Sequence, residues 1–217
     1  MLNISPRPTR RTRSKHGGVK PTVESKLLAA SERLLSAGQS FATLSVEQLT
    51  TEAGIARGTF YLHFRDKGEL VARLLNQLTE EMVQSFGPWV HHADIAKRKD
   101  VQASVASMID SFKKHQVIIA AVRDTMISDP VVAGLYADMI NKIGALARQS
   151  VATVKRRRLS RQGASDDVAN LLAWSIALYC THCIEKLDRA DLARVAKAFG
   201  YICNSAIFAD AADAKSI

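Results

Sequence analysis

From residue 21 onward, apolar positions recur at helical spacing. Val23, Leu27, Ala30 and Leu34 follow one another by four, three and four residues, one face of an amphipathic helix that Gly38 closes. Ser45 with Gln48 three residues on forms a capping box for a second, short helix, whose buried stripe is Val46, Leu49 and Ala53. Gly54 ends it, at a tight turn that needs a positive φ. A third helix is predicted over about Ala56 to Phe64, and Asp66 with Glu69 caps a fourth that runs over 66–84.

Beyond residue 80 the pattern stays helical. Aliphatic and alanine-rich segments are predicted as helices over 101–127, 131–158, 166–186 and 189–208, punctuated by Pro130, Gly163 and Asp188. No segment of useful length alternates at period two with β-branched enrichment, so no strand is predicted, and the fold class is all-α. No repeat of fixed period is present.

Composition adds a size and a compartment. The 217 residues are 47% hydrophobic and 24% charged, enough to fill a core and too apolar for a largely disordered chain. No window approaches the run of about 20 apolar residues that spans a bilayer, so no membrane association is expected. The basic N-terminus is followed by no apolar stretch, which argues against a secretory signal. Three cysteines cannot make a disulfide framework, and a soluble cytoplasmic protein is the expectation.

Charge is unevenly placed. Of a net +9, six charges sit in residues 1–20 (Arg7, Arg10, Arg11, Arg13, Lys15 and Lys20), with no acid among them. That stretch also holds Pro6, Pro8, Gly17 and Gly18 with few apolar side chains, and reads as a flexible basic arm. Residues 21–80 are nearly balanced, with six basic against seven acidic. A basic arm on a balanced body points to a polyanionic partner. A solvated tail with no partner is the alternative for the arm.

Three short helices over 22–64 with a glycine turn between the second and third describe a helix-turn-helix unit. Such a unit must hold its third helix rigidly while leaving one face free for a DNA major groove. Ile55, Phe60 and Phe64 supply inward anchors. The other face offers Arg57, Gly58, Thr59, Tyr61 and His63: an arginine to read guanine edges, a glycine for close approach, and hydroxyls for phosphates. Lys67, in the first turn of the next helix, suits a phosphate. Taken one at a time, Tyr61 and His63 can equally cover a helix junction, and Lys67 can be a solvated surface cation.

The run Leu49-Thr50-Thr51-Glu52-Ala53-Gly54-Ile55-Ala56-Arg57-Gly58-Thr59-Phe60-Tyr61-Leu62-His63-Phe64-Arg65-Asp66-Lys67-Gly68-Glu69-Leu70 resembles the DNA-binding signature of the tetracycline-repressor (TetR) family, over roughly residues 22–75. The resemblance implies a homodimeric, ligand-responsive transcriptional regulator, usually a repressor, that binds double-stranded operator DNA. It implies DNA contact by Ser45, Arg57, Gly58, Thr59, Tyr61, His63 and Lys67, with Tyr61 and Lys67 on phosphates. The arm adds Arg10, Arg11 and Arg13 as phosphate-tracking residues. Two positions depart from the family pattern: Ala56 stands where a hydroxyl residue often caps the recognition helix, and Gly68 replaces an acid.

The organisation expected is then an arm (1–20), a helix-turn-helix domain (21–67) and a helical domain for ligand binding and dimerisation (68–217). The resemblance implies that the last two long helices pair with those of a second subunit, with Leu171, Leu172, Ile176, Tyr179, Cys183, Val195, Phe199, Ile202 and Ile207 inward or interfacial. A pocket for a lipophilic effector is expected among Met108, Phe112, Met126, Tyr136, Met139, Trp174 and Leu178, with Phe86, Trp89, Val122 and Ile143 nearby, because methionine and aromatic side chains make adaptable apolar walls. Each can also be ordinary core.

No cofactor or metal site is expected. Cys180, His182 and Cys183 lack a fourth ligand, and buried small hydrophobes is the reading for Cys180, Cys183 and Cys203. The His91-His92 pair is expected to face solvent, and Lys155–Arg161 to form a solvated helix end. No nucleophile elbow, paired acids at a glycine turn or phosphate loop supports an enzyme. Two other classes stay open: an architectural DNA binder without an effector, and a small-molecule binder whose helix-turn-helix contacts protein.

Overall fold

The computed structural model describes residues 21–209, in which ten α-helices account for the architecture and the sole extended pairing is an isolated antiparallel bridge between Ser160 and Phe208. The expected arm, with Arg10, Arg11 and Arg13, lies outside the described residues.

Local signals set the first four helices. In α1 (Val23–Ser36) the Thr22 hydroxyl accepts from the Ser25 amide at 3.1 Å. The reciprocal capping box opens α2 (Val46–Ala53): Ser45 Oγ accepts from Gln48 N at 3.1 Å, and Gln48 Oε1 accepts from Ser45 N at 2.8 Å. Gly54 follows at φ 63°, a left-handed conformation that an L side chain resists. Ala56 leaves α3 (Arg57–His63) without a side-chain cap. The next N-cap is Asp66, whose carboxylate accepts from Glu69 N at 2.8 Å and starts α4 (Lys67–Ser85).

The C-terminal half departs from the expected boundaries in two places. After a short α5 (Pro88–His91), the single helix predicted over 101–127 is two, α6 (Arg98–Lys114) and α7 (Gln116–Thr125), broken at His115 with φ −107° and ψ 25°. Pro130 begins α8 (Pro130–Arg156), because the first helical position needs no amide donor. The Asp129 carboxylate caps it from the Val131 and Val132 amides. Then come α9 (Asp166–Cys183), a 3-10 turn at Ile184–Lys186 and α10 (Arg189–Ile207).

The most extensive pairings are α6 with α10 and α8 with α9, while α4 runs against α7 and α8; α7 packs on α1, and α4 reaches α1 and α3 through Arg73. Phe41, Leu49, Phe60 and Phe64 belong to the same buried cluster as Leu75, Phe86, Ile143 and Ile207, so one core is continuous through both halves. Gly68 gains its physical reason here: a Cβ on it would lie 2.2 Å from Asp129 Oδ2, so a larger residue would have to displace the carboxylate that caps α8. No helix of the described residues is long and apolar enough to cross a membrane.

Candidate DNA-reading face and apolar cavity

Helix α3 is anchored from beneath. Phe60 and Phe64, four apart, are fully buried with ring centroids 5.3 Å apart. With those two inward, Arg57, Gly58, Tyr61, Leu62 and His63 are exposed and Thr59 is half-buried. Tyr61 is 47% exposed, its ring edge-on to Phe60 and within 5.7 Å of the Arg57 guanidinium. Ser45, the N-cap of α2, is exposed as well. The structure therefore brings five of the predicted DNA residues together on α3. It adds Leu62, 85% exposed and the most protruding apolar group of the helix. Its signal in the sequence was its place between Tyr61 and His63, two residues from each inward phenylalanine.

Two arginines, Arg73 of α4 and Arg33 of α1, clasp the unit. Arg73 donates to the His63 carbonyl and to Glu24 Oε1, both at 3.1 Å, and stacks over the Phe64 ring at 4.7 Å. The end of the third helix is thus tied to α4 and α1 together. Glu24 is held below the usual carboxylate range, chiefly by a backbone hydrogen bond and further by Arg73. On the other flank Arg33 pairs with the Glu52 carboxylate and donates to the Glu52 carbonyl at 2.6 Å, joining α1 to α2.

Lys67 is engaged within the protein. Its ammonium donates to the carbonyls of Phe41 and Ala42, both at 3.0 Å, and to that of Leu44, and it lies 5.4 Å from the Phe41 ring centroid. A phosphate contact would require giving up these bonds. The geometry makes Lys67 a staple for the loop before α2, and burial pulls its pKa below the ordinary lysine value. The same loop is held from α7: Asp124 Oδ2 accepts from Ser40 Oγ at 2.6 Å and from the Phe41 amide at 3.1 Å.

A second feature lies at the opposite end of α4. A cavity of about 70 Å³ opens between α4, α5, α6, α8, α9 and α10. Phe86 and Trp89 line it from the end of α4 and from α5, Val101, Val105 and Met108 from α6, Ile143 from α8, Ile176 from α9 and Cys203 from α10. Its polar groups are few: Ser104 Oγ is spent on the Phe86 carbonyl, and burial pushes the Cys203 thiol up to about 11, so it stands neutral. A cavity so lined has little to offer a water molecule.

Of the seven predicted pocket residues only Met108 lines this cavity. Phe112, Tyr136 and Met139 are buried core one to two turns along the bundle toward α7, and the Tyr136 hydroxyl is hydrogen-bonded to Thr181. On α9 the inward residues are Leu172, Ala173 and Ile176. That register turns Trp174 and Leu178 to the other side, Leu178 being 42% exposed. Met126 is only half-buried beyond the end of α7. Phe86, Trp89 and Ile143, expected nearby, do line it, whereas a search for methionine and aromatic residues misses Val101, Val105, Ala147, Val151, Ala169 and Ala173.

The remaining candidates fall as follows. His91 and His92 are exposed. Arg157 donates to the carbonyls of Ala93 (3.3 Å) and Ala96 (2.7 Å), so one member of the expected solvated run is a structural bridge. Cys180 is buried, its thiol pushed up to about 12.

Residues 27–74 match the family of bacterial regulatory proteins described as the tetR family. The HTH-type transcriptional regulator EthR of Mycolicibacterium smegmatis is 26% identical over 155 residues, 71% of this chain and 69% of that protein. Similar solved structures include the ketosteroid transcriptional regulator KstR2 of Mycobacterium tuberculosis, with a TM-score of 0.64 at 16% identity over 89% of this chain and 98% of that one. A SmeT–triclosan complex superposes with a TM-score of 0.66 at 18% identity over 87% and 92% of the two chains. SmeT of Stenotrophomonas maltophilia, described as the repressor of the multidrug efflux pump SmeDEF, gives 0.63 at 18% identity over 88% and 92%. The chain thus carries a tetR-family helix-turn-helix domain over residues 27–74, and its fold through its length is that of the TetR-family DNA-binding transcriptional regulators it resembles.

Proposed function

We propose that the protein is a ligand-responsive repressor that binds a palindromic operator as a homodimer in the cytoplasm and is released by a small apolar effector. The observation that carries this reading is the pairing of an exposed α3 face, clasped at its end by Arg73 of α4, with a dry cavity that begins at Phe86, where α4 ends. One helix joins the reading face to the ligand site. An effector that favours a wider cavity displaces Phe86 and hence α4. Release of DNA then follows if the ligand binds the displaced form more tightly, with coupling of about 1–3 kcal/mol on the usual scale.

In this reading Arg57 reads a base edge, Tyr61 and Thr59 meet phosphate, and Ser45, Gly58 and His63 border the groove. Arg10, Arg11 and Arg13 supply salt-dependent affinity without sequence preference. We place the working division at 21–67 for DNA and 68–217 for effector and dimer, with α4 serving both. The dimer face is assigned to α9 and α10, where Leu171 (65% exposed), Leu178 and Ile202 (48%) stand outward at helical spacing.

The test is a footprint and gel-shift titration on the DNA upstream of the protein's own gene. Protection of two half-sites about 34–36 Å apart is expected. Tyr61→Ala should weaken binding to every sequence, whereas Arg57→Ala should relax preference at one position. A folded Tyr61→Ala protein that binds as tightly as the parent overturns the assignment. Absence of any DNA affinity at moderate salt favours a helix-turn-helix that contacts protein.

A further inference from the structure

The outward face of α3 carries one side chain with no hydrogen-bonding group. Phe60 and Phe64 are buried and fix which side of the helix meets the core. At about 100° per residue, Leu62 falls roughly 180° from the line midway between them, in keeping with its 85% exposure. One turn back on the same stripe is Gly58. A Cβ built there would meet nothing within 4 Å, so space is open on the side toward which a helical leucine leans. The flanks of this stripe are polar: Tyr61 with the Arg57 guanidinium 5.7 Å from its ring on one side, and Thr59 and His63 on the other.

Each of those flanking side chains has a hydrogen-bonding group to offer a phosphate or a base edge, and Leu62 has none. A major groove holds a single apolar feature for such a side chain, the C5 methyl group of thymine; the other base edges are donors and acceptors that lose water against it and gain no partner. An isopropyl group at the centre of the face therefore discriminates in both directions. It gains from a methyl and is disfavoured over an amino or carbonyl edge.

We propose that Leu62 determines part of the operator sequence by packing on a thymine methyl in each half-site, over the space that Gly58 leaves open. The inference rests on the reading of α3 as the helix that enters the groove. It gives Gly58 a definite part, since a side chain there would take the room that the methyl occupies. It also separates the contacts of α3 by kind: Leu62 senses a methyl, while Arg57 and Tyr61 meet polar edges and phosphate.

The test begins with selection of random double-stranded DNA on the full chain. The recovered sequence is then titrated in gel shifts with thymine replaced by uracil, one symmetric pair at a time, since uracil differs from thymine only in lacking the C5 methyl. At one pair the exchange should weaken the parent by about fourfold per half-site, the worth of one buried methyl, and so by about fifteenfold over both. Leu62→Ala should lose at least as much on the thymine sequence and be indifferent to uracil at that pair. Its melting temperature should match that of the parent, because the side chain it shortens is exposed. A recovered half-site without thymine, a parent indifferent to uracil at every pair, or a Leu62→Ala protein that keeps the parent's full response overturns the proposal and leaves DNA binding by α3 standing. Recovery of no sequence at all overturns the reading of α3 itself, and the proposal with it.

Discussion

Replacing Lys67 by Met separates the two roles an ammonium can have at the start of α4. The substitution keeps the length and apolar stem of the side chain and removes three hydrogen bonds to carbonyls. Two of those carbonyls belong to Phe41 and Leu44, each 1% exposed, and the third to Ala42, which water can reach. A buried acceptor left without a partner costs about 1–3 kcal/mol, while the lost desolvation of the ammonium gives part of this back, so a net loss of about 2–4 kcal/mol is expected. For a chain of this size that corresponds to a fall in Tm of roughly 5–15 °C. The parent and Lys67→Met proteins would be compared by circular-dichroism melts and by gel-shift titrations at several salt concentrations. A staple lowers Tm and weakens DNA binding while leaving the slope of log K against log salt unchanged. A phosphate-binding lysine instead leaves Tm nearly intact when replaced and reduces the slope by about 0.9 for each phosphate no longer neutralised, close to two for a dimer. That second result would refute the reasoning.

Gly68→Ala should destabilise by about 1–3 kcal/mol, because its Cβ meets Asp129 Oδ2, and urea unfolding of Gly68→Ala beside Asp129→Ala and the double variant should show strong non-additivity. Trp89 lines the cavity and Trp174 does not, so in a Trp174→Phe background a small apolar ligand should still change the fluorescence, and Met108→Trp should abolish that response by filling the space. His115 is held below its ordinary value of 6.5, by burial first and against the pull of Glu81. Its unfolded form therefore binds a proton at higher pH than its folded form, so stability present above about pH 6.5 is lost as pH falls through the folded pKa. Denaturant midpoints from pH 7.5 to 5.5 should decline in the parent and decline less in His115→Gln. The carboxylates with lowered pKa, such as Glu81, act in a more acidic range.

Legibility followed the range of the interactions. The Ser45 and Gln48 box, the positive φ of Gly54 and the Asp66 cap depend on neighbours within a few residues, and each was readable from spacing alone. So was the inward pairing of Phe60 with Phe64. The break at His115 was not, since no glycine or proline marks it and α4, through Glu81, meets the chain there. Lys67 was visible as a cation near a helix start, but which oxygens it meets depends on a loop more than twenty residues away. The cavity was hardest to read. A void is defined by what does not fill it, and alanine and valine leave no mark in the sequence that distinguishes the edge of a space from ordinary core.

The loop before α2 is counted in the sequence with the DNA-reading half, yet both of its outside holds belong elsewhere. The Phe41 amide is given to Asp124 of α7 and the Phe41 carbonyl receives Lys67 of α4. A single residue is thus gripped by an anion on one side and a cation on the other, from two different helices. Sliding one helix past the other lengthens one of these two bonds. The Phe41 amide is therefore a gauge for movement that draws Asp124 of α7 away from it: such movement should speed its exchange with deuterated solvent, without DNA and without a label.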